Sequence, residues 1–100
     1  MKFNVLERIT LLGILPAEGS YITFKLLANL KSELSFSEVE LTELGIKESD
    51  GKIFWNKSED KEIEIGDKAK EIIKEALKKL DEAGKVNNEN APLYERFMLE

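Results

Sequence analysis

The chain contains no cysteine and no histidine in 100 residues. Without cysteine there can be no disulfide and no thiolate metal site, and a reducing compartment is compatible. Without histidine the commonest general base, the commonest zinc ligand and the usual near-neutral titrating side chain are all missing. Only two prolines and six glycines punctuate the sequence. No internal repeat, low-complexity tract or Pro/Gly/Ser linker is present, so one globular domain over residues 1–100 is expected. No apolar run approaches the roughly 20 residues of a membrane-spanning helix. The opening "MKFNVLERITLLGILPAEG" is interrupted by Glu7 and Arg8 and lacks a small-residue cleavage site. It therefore predicts a helix rather than a signal peptide, and a cytoplasmic location. Basic residues are outnumbered by acidic ones, 15 to 20, for a net charge of -5. That balance disfavours non-specific attraction to nucleic acid or to an anionic membrane.

What is present is a strongly helical pattern with a short strand-like interruption. Charged residues reach 35%, above the roughly 25% of ordinary domains, which indicates well-solvated helix faces. Val5, Leu6, Ile9, Leu12 and Ile14 recur at helical spacing from about residue 4 to 15, with Asn4 as N-cap and Pro16 and Gly19 as stops. A second helix is expected from Thr23, with Ile22 and Leu27 stapling its cap and Leu26, Leu30 and Leu34 continuing the stripe. Ser37 and Glu40 form a capping box that opens a third helix, Glu38 to Leu44, and Gly45 is its left-handed cap. Asp67 or Gly66 opens a fourth. Its stripe runs Ala69, Ile72, Ile73, Ala76, Leu77, Leu80 and Ala83, and it stops at Gly84. A last short helix starts near Asn88 to Asn90, with Pro92 tolerated in its first turn. The predicted fold class is α+β: a three-helix N-terminal unit, a small antiparallel meander in a winged-helix-like order, a long amphipathic helix and a short C-terminal one.

Between the third and fourth helices the hydrophobic period becomes two. Asp50-Gly51 is a type I′ hairpin signal, because both central residues of that turn need positive φ. A two-residue turn pairs Ser49 with Lys52, Glu48 with Ile53 and Ile46 with Trp55. A second hairpin to "EIEI" can form in two registers. The odd one gathers Ile46, Ile53, Trp55, Ile63 and Ile65 on one face, whereas the even one splits them. Burial of each large apolar side chain stabilises by roughly 1.5–3 kcal/mol, which favours the odd register. Trp55 is then core, and Phe54 is isolated on the opposite face.

Chemistry-bearing motifs are scarce. Helix two, the turn and helix three have the order of a helix-turn-helix followed by a wing. However, the would-be recognition helix "EVELTEL" carries Glu38, Glu40 and Glu43 and no cation, which opposes contact with phosphates. Nucleic acid is therefore the alternative partner and not the preferred one. An EF-hand loop would need an oxygen ligand where Ile46 stands, and Asp50 reads as a turn residue. Glu71 and Glu75 are interleaved with lysines, as on a solvated face. No nucleotide-binding glycine loop or nucleophile elbow is present. The sequence thus assigns no catalytic residue, no metal site and no cofactor.

The remaining candidates are aromatic contacts with a partner: Phe54, and Tyr94 with Phe97 on the terminal helix, since aromatics dominate binding hot spots. The terminal helix is also a candidate route to a homo-oligomer. In "ILPAEG", "IFWN", "IEIG" and "LYERF" the chain resembles small uncharacterised proteins encoded by phages and prophages, across nearly its whole length. No functional residue comes with that resemblance. It implies an intracellular accessory protein that acts by binding a phage or host protein. The expected function is a non-enzymatic protein-interaction module, with an atypical winged-helix regulator as the alternative.

Overall fold

A computed structural model describes residues 1–99. Its elements are β1 (Lys2–Phe3), α1 (Val5–Ile14), α2 (Tyr21–Leu34), α3 (Glu38–Leu44), β2 (Lys47–Ser49), β3 (Lys52–Phe54), β4 (Lys61–Glu62), α4 (Asp67–Glu82) and α5 (Ala91–Tyr94). A π-helical turn, Glu95–Leu99, continues from α5. The architecture is the small α+β fold anticipated from the hydrophobic pattern.

Two helices open on capping boxes. Asn4 Oδ1 accepts from the Glu7 backbone N–H at 2.8 Å, and Glu7 accepts in return from the Asn4 N–H. Ser37 and Glu40 do the same for α3. Each box satisfies two orphan donors of its helix. The third helix closes on Gly45 at φ 66. There Gly45 N–H donates to Thr42 O and Ile46 N–H to Leu41 O at 3.0 Å, a Schellman closure that a side chain with Cβ would strain. The start of α2 differs from expectation. Its cap is Ser20, whose Oγ accepts from the Thr23 N–H at 3.2 Å. The helix therefore begins two residues early, and Ile22 is 74% exposed instead of stapling the cap.

The Asp50-Gly51 turn has the expected left-handed pair, φ 51 and 74. The register is also as expected: Ser49 faces Lys52, Glu48 faces Ile53 and Lys47 faces Phe54. The three-stranded meander, however, does not form. The described residues hold two separate antiparallel pairs, β2 with β3 and β1 with β4. After Phe54 the chain turns onto the end of α3, where Asn56 and Lys57 both donate backbone N–H to Leu44 O, at 2.9 and 3.2 Å. Lys61 and Glu62 then pair with Phe3 and Lys2, a partner strand that no periodicity in two residues could announce.

The consequence for the core is direct. Ile63 and Ile65 join Phe3, Leu11, Leu15, Leu27, Leu30, Leu34, Ile73, Leu77, Leu93 and Phe97 in one buried cluster. Phe3 and Phe97 stack with centroids 6.2 Å apart. Ile53 and Trp55 do not reach that cluster. Ile53 is exposed and Trp55 only half-buried, so the odd-register face of five apolar residues is corrected to two groups in different places.

Candidate functional site

The β2–β3 hairpin, with no third strand beside it among the described residues, borders a distinctive apolar surface. The hairpin β2–β3 stands beside the outward stripe of α1 (Leu6, Ile9 and Leu12), leaving an apolar trough between them. One part of it, about 330 Å³, is lined by Ile9, Leu12, Phe36, Leu41, Ile46 and Ile53, with Lys47 and Glu48 at the rim. The adjoining part, about 430 Å³, shares Ile9 and Ile53 and adds Leu6, Phe54, Trp55 and Glu89. Four segments thus place apolar side chains along one concavity: α1, the α2–α3 turn, α3 and the hairpin. Leu41 and Ile46 are the residues at which the Schellman closure brings a helical and a post-helical side chain together. The trough is a by-product of local helix-ending chemistry.

One wall of the trough is backed by an ion pair that periodicity does not reveal. Arg8, on the buried side of α1, is wholly inaccessible to solvent. Its Nε donates to Leu34 O at 3.1 Å and Nη2 to Ser35 O at 2.7 Å. Nη1 donates to Glu40 Oε2 at 2.6 Å. The guanidinium carbon also lies 3.9 Å from the Phe36 ring centroid. One arginine therefore fixes α1 to the α2–α3 turn and holds Phe36 in the trough wall. Glu40 is pulled from 4.5 down to about 2, first by the Arg8 hydrogen bond, against an opposing desolvation cost, and further by the Ser37 N–H. Arg8 is the larger cause because a charge-assisted bond stabilises the carboxylate form directly.

Arg96 repeats the motif at the other capping box. It donates to Glu7 Oε2 at 2.7 Å, and its guanidinium carbon lies 4.8 Å from the Phe3 ring centroid. The chain has no other arginine. Both are thus bound to capping-box glutamates. The sequence signal that could have found them was the Glu of each S/T/N-x-x-E box, a carboxylate already fixed in place and available for a second partner.

The three aromatics expected to meet a partner separate. Phe54 is 54% exposed on the trough side of the hairpin. Tyr94 is half-buried and its hydroxyl lies 3.4 Å from Asp81 Oδ2. Phe97 is 4% exposed, so its role as a partner contact is corrected to core: the π-helical turn points it into the Phe3 stack. Leu93 is buried with it. Two further surfaces have no signal in the hydrophobic pattern. Tyr21 and Phe24, with Ile22, expose three large apolar side chains in one turn of α2. A broader groove of about 630 Å³ lies between the end of α1 and α4, lined by Ile14, Pro16, Ile72 and Leu80 together with the small residues Gly13, Ala76 and Ala83.

Among the described residues no group of three or more acidic, histidine or cysteine side chains converges as metal ligands would. No described helix is long and apolar enough to cross a membrane. Compared with protein-family models, curated proteins and solved structures, the chain matches none.

Proposed function

We propose that the chain is a non-enzymatic protein-interaction or accessory module whose docking surface is the α1–α3–hairpin trough. The observation that carries this reading is the convergence of Leu6, Ile9, Leu12, Phe36, Leu41, Ile46, Ile53 and Phe54 on one surface concavity. Contiguous apolar concavities of this kind are where proteins receive partners. Arg8 holds Phe36 in the trough wall before any partner arrives, which lowers the ordering cost of association. The resemblance to phage and prophage proteins supports an accessory role in the cytoplasm of an infected or lysogenic cell.

The winged-helix alternative has the helix–turn–helix–hairpin order in its favour and charge against it. Phosphate recognition relies on arginine and lysine, whereas Arg8 and Arg96 are engaged internally and α3 offers Glu38 and Glu43 with no cation. Affinity capture with wild-type chain and with Phe54→Ser distinguishes the two. A protein retained by the wild type and lost by the variant is expected. Equal capture by both, or no protein captured in repeated trials, contradicts the proposal.

A further inference from the structure

We propose that a separate cleft between α4 and the C-terminal π-helical turn binds a small tetrahedral oxyanion, either phosphate or the phosphoryl end of a monoester. The cleft has a volume of about 130 Å³ and is lined by Met1, Lys70, Lys74, Arg96 and Phe97. Three of these five side chains are cationic and none is a carboxylate, on a chain whose net charge is -5. Lys70 and Lys74 are four residues apart on α4, so they lie one turn above each other and repel when no anion lies between them. Neither has an ion-pair partner among the described residues.

Arg96 is already oriented. Glu7 holds Nη1 at 2.7 Å and the Phe3 ring supports the guanidinium plane. No acceptor among the described residues engages its other N–H groups, which leaves them for a ligand. Glu7 cancels one of the three side-chain charges and Glu62 faces the Met1 ammonium at 3.5 Å, so the cleft presents a net excess of two. Two positive charges with a pre-oriented guanidinium suit a phosphate dianion, which such groups bind through charge-assisted hydrogen bonds. Size sets the other limit. The volume equals roughly four water molecules at about 30 Å³ each. It admits an oxyanion with a little water and is well below the roughly 300 Å³ from which organic ligand pockets begin.

The test is a backbone-amide NMR titration of the full chain with inorganic phosphate, and in a second arm with O-phosphoserine. Chloride at matched ionic strength is the control. Saturable shifts at residues 70, 74, 96 and 97 are expected, with half-saturation on the order of 1 mM. Tighter binding of phosphoserine assigns the ligand as a monoester, and tighter binding of phosphate assigns the free anion. Lys70→Gln/Lys74→Gln is expected to weaken binding about tenfold with helix content unchanged, because glutamine is a good helix former. The exposed Lys74→Gln alone should weaken it severalfold. Chloride reproducing the shifts, or a folded variant titrating like the wild type, overturns the site.

Discussion

At the scale of single residues, Glu40 does three jobs at once. It caps α3, neutralises a wholly buried arginine and, through that arginine, positions Phe36. Because its folded pKa lies near 2, below the ordinary 4.5, the stability it contributes is present in full above about pH 4.5. That stability is lost as pH falls toward 2. Glu40→Gln keeps the shape but leaves Arg8 unneutralised, and about 3 kcal/mol of stability is expected to be lost at pH 7. Urea unfolding as a function of pH checks this: the gap between variant and wild type should close as pH approaches 2. A gap independent of pH would show that packing, not charge, is what Glu40 supplies. Gly45 offers a second test. A Cβ there would lie 2.6 Å from Asn56 Nδ2 and 3.2 Å from Asn56 Cβ, at φ +66; Gly84 has nearly the same φ, +67, in open space. Alanine at Gly84 should cost about 1 kcal/mol, the left-handed penalty alone. Gly45→Ala should cost measurably more, since Asn56 must also move. Equal midpoints in urea would mean that Asn56 yields freely.

At the scale of elements, the hairpin and the terminal helix divide the aromatics between surface and core. Phe54→Ser is expected to change stability by no more than about 0.5 kcal/mol, because its ring is largely solvated. Phe97→Ala removes a buried ring stacked on Phe3 and should cost about 3–5 kcal/mol. Thermal denaturation of the two variants reads the contrast directly. The helices were legible in the sequence because caps and the 3.6-residue period are local: Asn4, Ser37, Gly45 and Gly66 mark their boundaries wherever the chain packs. The β2–β3 hairpin was legible for the same reason, from Asp50-Gly51. The second pairing was not. It joins residues 2–3 to residues 61–62, and two-residue strands carry no period. In place of the expected second hairpin, two backbone N–H groups, of Asn56 and Lys57, donate to one carbonyl, Leu44 O, a contact that no side chain signals. Of the residues lining the trough, only Phe54 was anticipated as a surface contact, because the others come from four segments that local periodicity does not bring together.

At the scale of the whole molecule, an acidic chain has both of its arginines tied to its own helix caps and an apolar trough open to solvent beside the hairpin. Long-range attraction to polyanions is therefore weak. An electrophoretic shift assay on duplex DNA at low salt is expected to show free DNA throughout, and a stable complex would revive the winged-helix alternative. The exposed turn Tyr21, Ile22 and Phe24 is the rival surface for a protein partner, more exposed than the trough but contributed by one helix alone. Mapping backbone-amide shifts on addition of the captured partner decides between them. Expected are shifts clustered at Leu6, Ile9, Leu41, Ile46 and Ile53 to Trp55, with the indole signal of the single tryptophan moving too. Shifts confined to residues 21 to 24 with the trough unmoved would contradict the trough as the docking surface.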